Sequence, residues 1–238
     1  MYKIGFIGSG KMASAIIKGL IKTGFAKPEE LIATQAETEG VEKKSKELGI
    51  KIILDNKELA KNSEIIFVAT KPNQAVGALE EIKDLITPDK LVASIAAGVT
   101  TEKLEAHLPE KTRVIRIMPN TPALVGEGMS GMVGGKYATE KDLEYIKGLL
   151  STIGKCIVVD NEAQIDIVKH IDKNSKFNDL EQQEKMKLMM KQLGQSLQNS
   201  VMNNKKCTAK ELYSRYKYFK DNPEKIFTTL YSYVPPKN

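Results

Sequence analysis

Lys3-Ile4-Gly5-Phe6-Ile7-Gly8-Ser9-Gly10-Lys11-Met12-Ala13 is the stretch on which the fold turns. Lys3–Ile7 is short, apolar and rich in isoleucine, the pattern of a strand buried on both faces. A helical pattern follows over Gly10–Thr23. Between them lies Gly8-x-Gly10-x-x-Ala13, a triplet that carries meaning only when it joins a strand to a helix, as here. Gly8 permits the tight turn, Gly10 lets the backbone approach a pyrophosphate, and Ala13 lets the helix lie close on the sheet. The first amides of the helix then face an anion with the helix dipole behind them.

Outward from this stretch the same alternation repeats. Leu31–Thr34, Glu64–Ala69, Leu91–Ile95 and Arg113–Met118 read as further strands, with helical patterns at Glu58–Lys61, Gln74–Leu85 and Thr101–His107. Strand–helix alternation predicts an α/β fold, a Rossmann-type, mostly parallel sheet with helices on both faces. Composition changes near Asp160. Of the 17 glycines only Gly194 lies beyond it, whereas 8 of the 14 aromatic residues do. The expected organisation is a dinucleotide-binding domain over 1–160 and a small all-helical segment over 161–238. That segment holds a capping box at Thr208-Ala209-Lys210-Glu211 and an Asn222-Pro223 helix start. Apolar stripes run through Leu180–Val201 and Leu212–Phe219.

The second strand ends in Thr34-Gln35-Ala36, with the first acid only at Glu37. A binder of NAD usually places a carboxylate at this point to hold the ribose 2′-hydroxyl. An uncharged terminus leaves room for a 2′-phosphate, with Thr34 and Gln35 as donors. NADP(H) is therefore the expected cofactor and NAD(H) the alternative. Open parallel sheets bind ligands at the carboxyl ends of their strands. Ala69-Thr70-Lys71-Pro72, Ala96-Ala97-Gly98 and Met118-Pro119-Asn120-Thr121-Pro122 all fall there. The two X-Pro bonds of the last suggest a rigid loop and make a cis bond a candidate.

Net charge is +6, most of it in 161–238, where 14 Lys and Arg meet 9 Asp and Glu. Spread over mixed-charge helices, this reads as a solvated face and not as a nucleic-acid surface. No apolar run reaches the roughly 18 residues that a membrane span needs. Met1-Tyr2-Lys3 leads directly into the first strand pattern, with no signal peptide expected. Cys156 and Cys207 match no metal or redox spacing and read as reduced thiols in a cytoplasmic protein. His107 and His170 form no catalytic pair, and no metal constellation or catalytic residue is assigned.

Taken together, Gly5–Met12, Ala69–Pro72, Ser94-Ile95-Ala96-Ala97-Gly98-Val99 and Arg116-Ile117-Met118-Pro119-Asn120-Thr121-Pro122 with Gly126-Glu127-Gly128 resemble pyrroline-5-carboxylate reductase in order and spacing. The resemblance runs from Met1 to about Asp160. It implies a Rossmann domain whose cofactor lies along Ile7, Gly8, Ser9, Gly10, Lys11 and Met12. It also implies contacts from Asn56 and from Ala69, Thr70, Lys71 and Pro72, and places Gln35 near the adenosine 2′ group. Thr34, Ala96, Ala97, Gly98 and Asn120 complete the candidate set. The implied reaction is hydride transfer from nicotinamide to the imine carbon of 1-pyrroline-5-carboxylate, giving proline. The family's Ser-Gly-Ser-Gly-Pro-Ala-Tyr-like substrate loop and its dimerisation elements have no counterpart after Asp160. A homo-oligomer is thus implied by kinship but not supported by the tail. The alternative reading is an NADP-binding module, a truncated or fused reductase without activity. A third, another NADP-dependent oxidoreductase on this fold, is opposed by the Met-Pro-Asn-Thr-Pro loop.

Overall fold

Runs of β-branched and aliphatic residues bounded by glycine, proline and charge produce the strands of the computed structural model, which describes residues 1–162 and 164–165. They are β1 (Tyr2–Ile7), β2 (Leu31–Thr34), β3 (Lys51–Ile53), β4 (Ser63–Val68), β5 (Leu91–Ser94), β6 (Arg113–Met118), β7 (Gly128–Gly134) and β8 (Gly154–Val158). Together they form one sheet in the order β3-β2-β1-β4-β5-β6-β7-β8. Neighbours run parallel except β6 and β7, which are antiparallel. The helices are α1 (Lys11–Thr23), α2 (Val41–Leu48), α3 (Asn56–Lys61), α4 (Pro72–Ile82), α5 (Thr101–Glu105) and α6 (Glu140–Leu150). This is the expected Rossmann-type architecture.

Alternate residues of each strand feed two cores, as the pleat requires. Phe6, Phe67, Ile115 and Ile117 face one side, where Ile16, Ile17 and Leu20 of α1 and Ile146 and Leu150 of α6 cover them. Ile7, Ile66, Val68 and Val114 face the other, under Leu59 of α3 and Leu79 and Ile82 of α4. The rings of Phe6 and Phe67 stack at 4.9 Å across β1 and β4, so the two central strands are joined by aromatic contact as well as by their ladder.

Three strands, β3, β7 and β8, and two helices, α2 and α6, are additions to the expected list. The expected helices at 74–85 and 101–107 end earlier, at Ile82 and Glu105; a 3₁₀ turn, Lys83–Leu85, follows α4. Both X-Pro bonds of Met118–Pro122 are trans, since no cis peptide occurs among the described residues. Asn120 is extended and Thr121–Val125 winds into a 3₁₀ turn with Pro122 near its start, a position that proline's fixed φ and missing N–H suit.

The described residues fall within the first of two compact units, Met1–Met190. The expected helical segment beyond Asp160 lies outside them, apart from Asn161, Glu162, Gln164 and Ile165. So do its capping box, its apolar stripes, His170 and Cys207.

Cys156 lies on β8 with 6% of its surface exposed. Burial pushes its thiol from 9.0 up to about 12, with nearby Lys147 acting weakly in the opposite sense. The fold favours the neutral thiol. Its contribution to stability is therefore intact below about pH 9 and fades as pH rises toward 12. Iodoacetamide at about pH 8 is expected to leave Cys156 unlabelled in the native protein and to label it in urea, read by peptide mass mapping. Equal labelling in both states would contradict this burial.

Candidate functional site

The chain runs from β1 outward to β2 and β3, then returns across β1 to continue through β4 on the other side. A crevice opens where strand order reverses in this way, above the carboxyl ends of β1 and β4. The Gly8–Gly10 turn fills that position. Ala69 N–H donates to the Ile7 carbonyl at 2.9 Å, and Ile95 N–H to the Val68 carbonyl at 3.1 Å. The ends of β1, β4 and β5 are thereby held level, and their loops open on one edge.

The two glycines of the turn answer to different constraints. Gly8 has φ +98°, and a Cβ there would sit 2.9 Å from the Ala69 carbonyl oxygen. Both the backbone and the neighbouring loop require glycine at that position. Gly10 has φ −66° and ψ −177°, open to any residue. A Cβ on it would meet no protein atom within 4 Å. Packing against neighbouring segments therefore does not explain Gly10, whose backbone stands open to solvent at the head of α1. No side chain caps α1, and no acidic residue occupies its first turn, so the amides following Gly10 are left for an anion. Ser9 is buried, and its carbonyl accepts from the Ser14 hydroxyl at 3.2 Å. Ala13 is buried against the sheet. Lys11 is exposed at the helix start, with Met12 half-buried beside it.

Thr34 has a different position from the one expected. Its side chain turns inward, 3% exposed. Its hydroxyl accepts from Gly8 N–H at 3.1 Å and donates to Asn56 Oδ1 at 2.7 Å. The hydroxyl proton is thus engaged within the protein and is not a donor to a 2′-phosphate. Asn56 Nδ2 in turn donates to Glu81 at 2.7 Å. A chain of hydrogen bonds fixes the glycine turn to β2, α3 and α4. Gln35 Nε2 donates to the carbonyls of Glu37 and Glu39 at 3.1 and 2.7 Å, and so braces the loop after β2.

The remaining candidates line the same edge. Lys71 is the exposed N-cap of α4 and Pro72 its first residue. The Thr70 hydroxyl is buried and has no hydrogen-bond partner in the structure, a condition that buried polar groups rarely tolerate. Ala96 is buried, Ala97 and Gly98 are exposed, and Gly98 takes φ +75°. Asn120 Oδ1 accepts from Met129 N–H at 2.9 Å, tying the loop after β6 to the start of β7. His107 is set apart from this edge, its Nδ1 2.6 Å from Glu80. That contact, followed by one from Lys83, lowers the Glu80 carboxyl below its ordinary range.

Sequence reasoning missed three residues: Arg116, Thr101 and Glu162. The Arg116 side chain is 2% exposed and forms an ion pair with Glu162. Glu162 also accepts from Thr101. Arg116, a charge set between Val114-Ile115 and Ile117-Met118 in the interior of β6, was the one available signal.

Comparison with known proteins places these features in context. Residues 3–98 match the family model described as NADP oxidoreductase, coenzyme F420-dependent. A pyrroline-5-carboxylate reductase of Methanosarcina acetivorans is 41% identical over 157 residues, 66% of this chain and 58% of that protein. Pyrroline-5-carboxylate reductase 3 of Rattus norvegicus is 35% identical over 165 residues, 69% of this chain and 60% of that one. The chain thus spans somewhat under two thirds of the length of these relatives. Among solved structures, a pyrroline-5-carboxylate reductase from Coxiella burnetii matches with a TM-score of 0.68 and 25% identity, covering 97% of this chain and 95% of the other. A Plasmodium falciparum pyrroline carboxylate reductase with NADP bound matches at 0.64 and 26%, covering 93% of each.

Proposed function

Over its first two thirds this chain is a relative of the pyrroline-5-carboxylate reductases, and on that premise we propose that it binds NADP(H) at the β1–α1 turn and reduces 1-pyrroline-5-carboxylate to proline. The observation that carries the reading is Gly10, a glycine with ordinary dihedrals and open space around it at the head of an uncapped helix.

In this reading the amides from Gly8 to Met12 hold the pyrophosphate, with Ile7 below it as the end of β1. The Thr34–Asn56 pair keeps the turn in shape from behind. The uncharged end of β2 favours a 2′-phosphate because it lacks a carboxylate, with Gln35 alongside. Ala69–Pro72 and Ala96–Gly98 line the cleft toward the other half of the dinucleotide, and Asn120 closes it. When bound, the cofactor supplies a hydride to the imine carbon of the substrate. The protein's part is to orient the two carbons and to exclude water. We place the protein in the cytoplasm, in keeping with its reduced, buried Cys156. Among the described residues no helix is long and apolar enough to cross a membrane.

The test pairs a titration with NADPH, read by nicotinamide fluorescence, and an assay of NADPH oxidation on addition of pyrroline-5-carboxylate. Micromolar binding with turnover is the expected result. Binding without turnover would favour the cofactor-binding module. Absence of binding to either nicotinamide nucleotide would overturn the assignment.

A further inference from the structure

We propose that Glu162 is a positioning residue for the far half of the cofactor cleft, tying the chain that leaves β8 to the loop between β5 and α5. The inference rests on the nucleotide reading above and deepens it. One Glu162 oxygen, Oε1, accepts from both Thr101 N–H at 2.7 Å and the Thr101 hydroxyl at 2.8 Å. The other oxygen pairs with the Arg116 guanidinium. Thr101 opens α5, and Arg116 lies on β6 directly across from Ser94 at the end of β5.

These contacts bracket a short loop. At its entrance the Ser94 hydroxyl accepts from Ala96 N–H at 3.2 Å. At its exit Glu162 holds Thr101. Ala97 and Gly98 stand exposed between the two anchors, and Gly98 takes φ +75°. The adenosine half of a dinucleotide belongs beside β2, so its other half lies toward β5 and β6, over this loop. Glu162 is 61 residues from Thr101 and 46 from Arg116 along the chain, and it follows β8, the last strand among the described residues. Wherever the chain goes after β8, its first turn is therefore fastened to the loop that meets the reactive half of the cofactor.

An Arg–Glu pair of this kind is a poor device for stability alone. The desolvation of two charges offsets most of their attraction, and well-packed apolar residues of similar size would serve as well. It does fix geometry, because a carboxylate accepting from a backbone amide and a hydroxyl at once permits one arrangement of the loop exit.

The experiment compares the full chain with Glu162→Ala and Glu162→Gln. Three quantities are measured: affinity for NADPH, affinity for adenosine 2′,5′-bisphosphate, which carries the adenosine half alone, and amide hydrogen exchange by segment. Glu162→Ala is expected to weaken NADPH binding about tenfold, as loss of charged hydrogen bonds would. Binding of the adenosine fragment stays within about twofold. Exchange quickens over residues 96–101 and is unchanged over 8–12. Glu162→Gln still offers an oxygen to Thr101 and recovers most of the loss. Equal weakening of NADPH and of the fragment, or unchanged exchange over 96–101 in Glu162→Ala, overturns the proposal. If the wild-type chain binds neither nucleotide, the cofactor reading fails, and the exchange pattern still decides whether Glu162 holds the loop.

Discussion

Gly10→Val is expected to fold like the wild type and to lose NADPH affinity by about a hundredfold or more. The two halves of that outcome have separate causes. Gly10 has dihedrals that valine adopts freely, and a Cβ there would touch no protein atom within 4 Å. The cost to the fold is the modest preference for glycine over valine at a helix N-cap, about 1 kcal/mol. The cost to binding is steric. A branched side chain would stand where the pyrophosphate must approach the backbone, displacing it from the amides of the first helical turn. Thermal melts and nucleotide titrations on the same preparation provide the check. A variant that keeps its affinity would remove the glycine turn from the site. One that unfolds would mean that Gly10 serves packing after all.

Gly154→Ala should show a different pattern, a large loss of stability arising at the β7–β8 pairing. Gly154 opens β8 with φ +145°, and it pairs in register with Gly128 of β7. A Cβ would sit 2.1 Å from the Gly128 carbonyl oxygen and 2.4 Å from its nitrogen. These are backbone atoms held in a ladder and cannot swing aside as a side chain would. Backbone strain of about 1–3 kcal/mol and a comparable overpacking cost together suggest a loss of about 4 kcal/mol. That is a large share of the total stability of an ordinary domain and corresponds to a fall in Tm of roughly 8–16 °C. A melt followed by circular dichroism that moves by less than about 2 °C would contradict the close approach of the two glycines.

The parts of the fold legible in sequence were those that local pattern determines. β1, β2, β4, β5 and β6 are runs of isoleucine, valine and leucine between turn residues, and the glycine turn sits where a strand meets a helix. β7 was hidden because Gly-Met-Ser-Gly-Met-Val-Gly has a poor propensity for strand. Its small residues are there for close approach: a Cβ on Gly128 would stand 2.7 Å from Ala123 Cβ and 2.9 Å from the Ile153 carbonyl oxygen. β3 is only three residues long and begins with an exposed lysine, too short for a periodic signal. At the site, motif reading found the loops but not the direction of their side chains. Thr34 turns inward because the Gly8 amide and Asn56 stand on either side of it, a fact of tertiary approach between β1, β2 and α3. The Arg116–Glu162–Thr101 cluster joins three places far apart in sequence, which no local window can bring together.

The order β3-β2-β1-β4-β5-β6-β7-β8 has a consequence for how the protein is made. As the polypeptide leaves the ribosome, β1, an interior strand, emerges first and every later described strand is added to an existing border of the sheet. Two are laid on one flank, and the rest extend the other in succession. At no stage must a strand be threaded between two already joined, so assembly during translation can proceed without undoing earlier pairings. Among the described strands the last border to be covered is that of β7, whose glycine-rich backbone stays open until β8 has been synthesised.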